Sequence, residues 1–256
     1  LRDKYEAQGV PPVPHLDTSK AIVRPVGRKL AQQIILKYEW LGTLPPFVGH
    51  FYGIFFGDYC AGVTCSSLGD GGANTNAHKE WGLDRDELAY LARGANVHWS
   101  PKGANSKLVS WTCRLLAKQT KAKLIIAYSD TDAGEIGTIY QACNWICVGR
   151  GNSTRQWIAP NGRIYDQKLA YDLARKKGGT RSKWVDALRA DGWKEQATNP
   201  KYRYVQVLDK LDKSLMALVE MKRTPYPKRA IATGGTLVQQ EDGGSTPTLS
   251  LPKTQL

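Results

Sequence analysis

Trp99-Ser100-Pro101-Lys102-Gly103-Ala104-Asn105-Ser106-Lys107 is the stretch whose reading decides the fold. Glu87 to Val97 runs into it as a strand, and Ser106 to Lys118 leaves it as a helix. Small residues at the junction let backbone amides approach an anion. The helix N-terminus adds a favourable dipole, and Lys102 and Lys107 add charge. Val97, Lys102, Gly103, Ala104, Asn105, Ser106 and Lys107 are therefore candidate ligands for a pyrophosphate. The spacing is neither the dinucleotide fingerprint nor a P-loop. An ordinary strand–helix turn capped by Asn105 or Ser106 is the competing reading.

A second informative stretch is Ser129-Asp130-Thr131-Asp132-Ala133-Gly134-Glu135-Ile136-Gly137-Thr138-Ile139-Tyr140-Gln141-Ala142-Cys143-Asn144-Trp145. The apolar strand Lys123 to Ser129 ends in Ser129-Asp130, and a Gly-bounded loop leads into a short helix, Gly137 to Asn144. Polar groups at the carboxyl end of such a strand face the crevice of an open α/β sheet. Tyr140, beside that crevice, can donate a proton or contact a base. The competing reading makes Tyr140 half-buried packing and Asp130 a helix cap.

Outward from these two stretches, Ala21 to Val26 reads as a strand and Arg28 to Tyr38 as an amphipathic helix stopped by Gly42 and Pro45-Pro46. Phe47 to Phe56 and Tyr59 to Ser66, joined by Gly57-Asp58, read as a hairpin. Gly69 to Lys79 reads as a long polar loop. Trp145 to Gly149 reads as a strand, and Gln156 to Tyr165 as one strand bent at Asn161-Gly162. Basic helices follow at Gln167 to Lys177 and Ser182 to Ala190, then a strand at Tyr202 to Leu208. The order implies a mixed α/β sheet with helices on both faces. Residues 1–20 read as an extended arm, 21–230 as one catalytic domain, and 231–256 as a disordered tail of Gly, Ser, Thr, Pro and Gln.

The 256 residues carry a formal net charge of +13. Such an excess points to a polyanionic partner, because neutralising phosphates releases counterions. The cations also cluster, at Arg175, Lys176, Lys177, Arg181 and Lys183, and again at Lys222, Arg223, Lys228 and Arg229. Five cysteines, Cys60, Cys65, Cys113, Cys143 and Cys147, form no CxxC pair and read as free thiols of a reducing compartment. No run approaches the roughly 18 apolar residues of a membrane helix, and the N-terminal residues follow no secretory pattern. A cytoplasmic protein without a membrane partner is expected. No set of His, Cys and carboxylates has zinc spacing. Among the histidines, His50 reads as packing or surface, His98 enters the candidate phosphate turn, and His15 and His78 lie in loops. Arg93 precedes that turn on its strand.

The two opening stretches together resemble the GNAT acyltransferases. There, a strand, a phosphate-cradling turn and a helix hold acyl-CoA, and a later helix ends in Tyr-x-x-x-Gly-Phe. Tyr140-Gln141-Ala142-Cys143-Asn144-Trp145 is similar, with Asn144 for the Gly and Trp145 for the Phe. A closer resemblance is to the phage Mom family. It is carried by Ala127-Tyr128-Ser129-Asp130, by Gly137-Thr138-Ile139-Tyr140-Gln141-Ala142-Cys143-Asn144-Trp145 and by Lys201-Tyr202-Arg203-Tyr204-Val205, and it extends from about Ile22 to Pro227. It implies a GNAT-like, mostly antiparallel mixed sheet with helices on both faces. It implies modification of the exocyclic amine of adenine in DNA by a carbamoylmethyl-type group, which protects phage DNA from restriction.

Carried over by residue, the resemblance makes Ser106, Asp130 and Tyr140 catalytic candidates and acyl-CoA, as acetyl-CoA, a candidate cofactor. Glu39-Trp40 stands where the family tends to have His-Tyr. If that His binds a metal, Glu39 with Asp130 is a candidate ligand set for divalent iron. A flipped base needs a basic groove and an aromatic, for which Trp40, Trp81, Trp99 and Tyr140 are candidates. Two further readings stay open: a GNAT-fold acyltransferase for a hypermodified base or a protein amine, and a non-catalytic DNA-binding protein of the same fold. A homo-oligomer is also compatible with the sequence.

Overall fold

The computed structural model describes residues 16–45, 48–69, 76–176 and 178–229. Its elements are β1 (Ile22–Pro25), α1 (Arg28–Tyr38), β2 (His50–Phe56), β3 (Tyr59–Leu68), α2 (Ala77–Glu80), β4 (Leu88–Asn96), α3 (Ala104–Gln119) and β5 (Leu124–Ser129). There follow α4 (Thr138–Ala142), β6 (Ile146–Arg150), β7 (Arg155–Ile158), β8 (Ile164–Asp166), α5 (Gln167–Arg175), α6 (Arg181–Ala190), β9 (Lys194–Ala197), β10 (Tyr202–Val207) and α7 (Lys213–Met221).

Seven strands form the main sheet in the order β1-β2-β3-β4-β5-β10-β6. Every pairing in it is antiparallel except β4 with β5. This is the mixed, mostly antiparallel sheet expected of a GNAT-like fold. Alternation along the strands sends neighbours to opposite faces. Ile125, Ala127 and Tyr204 bury against α1 and α3 through Ile34, Ile35, Leu108 and Leu116. Leu124, Ile126, Val205 and Val207 bury on the other face against α7 through Leu215 and Val219, with Trp81 beside them. Helices therefore cover both faces. α1 forms because Ala31, Ile34 and Ile35 fall on one side of it. It stops at Glu39, before Gly42 with φ +58.

Four expectations change. The stretch read as one bent strand is two, β7 and β8, and with β9 they form a separate three-stranded sheet in the order β8-β7-β9. The polar turn at Asn161-Gly162, with Gly162 at φ +78, reverses the chain completely. The loop expected up to Lys79 ends earlier, because Ala77–Glu80 makes one helical turn and buries His78. The strand β9 and the helix α7 were not anticipated. The extended arm expected over residues 1–20 lies outside the described residues through His15, and Thr18–Lys20 forms a 3-10 turn. The expected tail over 231–256 lies wholly outside them, as does Lys177. One compact unit ends at Tyr226 and a second begins at Pro227. None of the five cysteines is in a disulfide. Among the described residues, no helix is long and apolar enough to cross a membrane.

Candidate active site

A cleft opens where β4 and β5 part. Their parallel pairing covers only Leu88–Tyr90 against Leu124–Ile126, although β4 continues to Asn96 and β5 to Ser129. The cause lies in β4: its register with β3 shifts between the pairs Cys65–Arg93 and Ser66–Leu91, so Ala92 is an extra residue. A bulge of this kind bends its strand and ends pairing. Both sequence-chosen stretches leave the sheet at this opening, at the carboxyl ends of the two parallel strands, where open α/β sheets place ligands.

On the β4 side the chain turns through Val97–Gly103 into α3. Gly103, at φ +86, is the N-cap, and no side chain caps the helix. The capping expected of Asn105 or Ser106 is thus absent; the Ser106 hydroxyl instead donates to the Gly103 carbonyl at 2.9 Å. A helix leaves its first-turn amides without intrahelical partners, here those of Asn105 and Ser106. Three expected ligands are committed elsewhere. Lys107 Nζ donates to the carbonyls of Thr18 and Ser19 at 2.7 and 2.8 Å, so it anchors the N-terminal 3-10 turn. Val97 is buried, its N–H bonded to Ala61 O and its carbonyl to Ser100 N. Ala104 is also buried, and its N–H is taken by Pro101 O. Lys102 remains exposed.

On the β5 side Asp130 is buried and caps a 3-10 turn, Thr131–Ala133, by accepting from Asp132 N at 3.1 Å. Its other oxygen pairs with Lys201 at 2.5 Å. Its own N–H donates to Glu135 Oε2 at 3.2 Å. The loop then passes Gly137 at φ +71 and enters α4, which presents Tyr140. Gly137 lies against the buried Tyr204 ring, whose hydroxyl donates to Ile136 O at 2.6 Å. Tyr140 stacks between Tyr204 and Trp145, with ring centroids 5.2 and 5.1 Å away. Burial pushes its phenol well above the ordinary tyrosine range, and the nearby Glu135 charge adds to this. The helix ends in a Schellman motif: Trp145 N–H donates to Tyr140 O and Asn144 N–H to Gln141 O. That motif needs a left-handed residue, and Asn144 supplies it at φ +58, which explains how Asn stands at the position of a Gly. Cys143 Sγ donates to Ser106 O at 3.4 Å, which docks α4 on the first turn of α3.

Glu39 reaches the same opening from the end of α1. Arg93, beside the β4 bulge, donates to the Thr43 carbonyl at 3.1 Å and holds the Glu39–Thr43 segment there. Tyr38 packs near His98, with ring centroids 6.0 Å apart. Burial raises the Glu39 carboxyl above its ordinary range; Arg93 and the Gly42 N–H, which donates to it at 2.8 Å, work against this, and Glu135 reinforces it. Glu39 and Tyr140 thus both feel Glu135, a residue the sequence reading passed over. Trp40, next to Glu39, is 47% exposed.

The metal expectation does not hold. Asp130 is spent on Lys201 and its own turn, and Glu39 on the Gly42 amide. Among the described residues no group of three or more His, Cys, Asp or Glu is placed to hold a metal ion. The residues present do not fit iron. Of the cationic cluster, Arg175, Lys176, Arg181 and Lys183 are exposed on α5, α6 and the turn between them, within the second sheet's module. Their position relative to the sheet could not be read from the sequence, because the module's existence could not.

Residues 20–228 match the Mom protein family. The methylcarbamoylase mom of Escherichia phage Mu is 28% identical over 163 residues, which take in 60% of this chain and 63% of that protein's length. Among solved structures, a Bacillus subtilis acetyltransferase in complex with CoA aligns at 11% identity and TM-score 0.41, over 73% of this chain and 99% of that one. An IAA acetyltransferase from Bacillus cereus aligns at 10% identity and TM-score 0.43, over the same shares. With the family match extending from Lys20 to Lys228 and so over most of its length, this chain belongs to the Mom protein family.

Proposed function

We propose that the chain is a DNA-modifying transferase that adds a carbamoylmethyl-type group to the exocyclic amine of adenine, with the cleft between β4 and β5 as its reaction site. The observation that carries the reading is the convergence of the α3 N-terminus, Tyr140 and Glu39 on one opening of the sheet in a member of the Mom family. An acyl-CoA fits the uncapped first turn of α3, where Gly103 offers no side chain and Asn105 and Ser106 offer amides to its diphosphate. Bound there, it would supply an activated acyl carbon with CoA thiolate as the leaving group, which balances an acyl transfer to the amine; the N–CH2 bond and terminal amide of a carbamoylmethyl-type group call for a further donor of carbon and nitrogen.

Each residue then has a distinct task. Glu39 is the base for the amine proton, since a carboxylate with a raised pKa is a stronger acceptor at neutral pH. Tyr140 keeps its proton at Oη across that range and donates it in the cleft. Ser106 lines the donor site, and Asp130 is a positioning residue that fixes the loop carrying Glu135. A base in a duplex must leave the stack to react, and the exposed Trp40 ring is the candidate to stack against it or fill its place. Arg175, Lys176, Lys177, Arg181 and Lys183 hold phosphates.

The test is mass spectrometry of nucleosides from DNA of cells that express the chain. A new deoxyadenosine adduct is expected. A changed pyrimidine would move the reaction to another base, and unmodified DNA would leave only the binding protein.

A further inference from the structure

β6 and β10 are hydrogen-bonded neighbours in the main sheet, yet the chain between them leaves that sheet to build β7, β8, α5, α6 and β9. This insertion has its own core of Trp157, Ala170, Ala174 and Leu188, with Tyr171 and Trp184 packed against it. Its two ends are tied together: Gly151 N–H donates to Lys201 O at 2.8 Å, and the Thr154 and Thr198 hydroxyls lie 2.8 Å apart. Its exit is clamped to the loop of the candidate active site. Asn199 donates to the Asp132 carboxylate through N at 3.1 Å and Nδ2 at 2.6 Å, and Lys201 pairs with Asp130. Anything that docks on the insertion is therefore held in a fixed relation to that loop.

Charge says what docks. α5 and α6 are a helical pair joined by a short turn, in which Gly178 and Gly179 take φ +84 and +89. Gly179 approaches α6 so closely that a Cβ there would lie 3.0 Å from Lys183 Cδ. The result gathers Arg175, Lys176, Arg181 and Lys183, and the sequence from Arg175 to Lys183 holds no acid. α6 opens with Arg181 and Lys183 in its first turn, has no acid there, and lacks a side-chain cap. Cations at the positive end of a helix dipole are unfavourable. The fold does little to relieve this: Arg175 lies 3.5 Å from Asp172, Arg181 rests over Tyr171, and Lys176, Arg181 and Lys183 make no ion pair among the described residues. Elsewhere in the insertion Arg155 and Arg189 share Glu195. An external polyanion would complete the turn. Single-strand binders need exposed aromatic rings to stack bases. The exposed large apolar residues of this insertion are Ile164 and Leu173, and its described aromatics pack inward. What remains suits phosphates on a duplex.

We propose that the insertion between β6 and β10 is a docking module for double-stranded DNA, which it grips by the phosphate backbone through the α5–α6 turn and the first turn of α6. The proposal rests on DNA being the substrate, and it assigns duplex capture to a part of the chain separate from the cleft.

The test uses the full chain and fluorescence anisotropy with a short labelled duplex and one strand of it, across a salt series. Arg181→Glu with Lys183→Glu is compared with Arg114→Glu with Lys118→Glu, an equal charge change on the exposed side of α3. The first pair is expected to weaken duplex binding about tenfold or more and to flatten the salt slope by about 2, since each phosphate contact contributes about 0.9. Lys176→Glu, at the end of α5, should repeat a smaller loss, which guards against a folding defect in the double variant. Equal losses in both double variants, no loss in the first, or tighter binding of the single strand would overturn the proposal. Tyr140→Phe separates the two claims: it should bind the duplex as the parent does, so intact docking without any adduct in the parent would condemn the reaction and leave the module standing.

Discussion

Replacing Gly137 by Ala should unfold the corner that carries Tyr140. Gly137 has φ +71, and a Cβ built on it would lie 2.2 Å from Tyr204 Cε2, 2.6 Å from Cζ and 2.8 Å from the hydroxyl oxygen. Ordinary contacts between such atoms are about 3.5–4.0 Å. The Tyr204 ring cannot swing aside, because it is fully buried between Tyr140 and Tyr226 and tied to Ile136 O. The left-handed backbone costs an alanine roughly 1 kcal/mol. Overpacking a filled core costs about 1–3 kcal/mol more. Displacing Tyr204 also forfeits its hydrogen bond, worth about 1 kcal/mol. The sum is on the order of 3–5 kcal/mol, a large share of the roughly 5–15 kcal/mol that holds a domain. Urea unfolding at equilibrium reads it directly as a lower midpoint with an unchanged slope. The same substitution in a Tyr204→Leu background should cost less, with a coupling of about 1–3 kcal/mol. A loss below about 1 kcal/mol with Tyr204 intact would refute the reasoning.

Three other substitutions follow from the same geometry. Asn144→Ala should cost about 1 kcal/mol at φ +58, whereas Asn144→Gly should cost nothing, by the same unfolding assay. Glu80 accepts two bonds from Arg203, at 2.8 Å each, and one from Lys222 at 3.2 Å; burial opposes its ionisation, but these partners hold its carboxyl below the ordinary range. Glu80→Gln should therefore cost about 2 kcal/mol at neutral pH. Because the folded pKa is the lower one, that advantage is full above the unfolded value, about 4.3, and fades as pH falls through the folded value, so unfolding curves of parent and variant should converge in acid. Lys107→Met should release the Thr18–Lys20 turn and lower the unfolding midpoint, while the thermal shift produced by added CoA stays as in the parent; a lost shift would return Lys107 to the phosphate site.

What the sequence reveals depends on how local the cause is. Arg28–Tyr38 was readable because its apolar spacing and its stop at Gly42 lie within a few residues. So was the strand–turn–helix before Lys107, whose direction follows from periodicity and small residues. The Tyr140 to Trp145 helix end was readable through pattern alone, and the left-handed Asn144 supplies its physical reason. The bonds of Lys107 to Thr18 and Ser19 were not readable because their partners lie 89 and 88 residues away in sequence. Asp130 reads from the sequence as a catalytic and metal candidate with a cap as the competing reading; it does cap a turn, and its pairing with Lys201 crosses the whole insertion. The module itself escaped notice because β9, Lys194 to Ala197, is largely polar and gains its strand character from β7 alone. α7 is different: Asp212 caps it and its apolar face is strong, so that helix was legible and was missed. The crevice at the end of the Lys123–Ser129 strand was expected, but its cause was not legible, since the parting of β4 from β5 arises from one extra residue in β4.

The central claim is that this cleft modifies adenine in DNA with Tyr140 as proton donor. The most direct measurement is the fraction of deoxyadenosine carrying an adduct, by mass spectrometry, in DNA from cells expressing the parent chain or Tyr140→Phe at matched levels of folded protein. No described residue hydrogen-bonds the Tyr140 hydroxyl, so removing it should leave the fold intact. The account predicts an adduct in the parent and a fall of about a hundredfold in the variant. Equal adduct levels in the two, or unmodified deoxyadenosine with the parent, would contradict it.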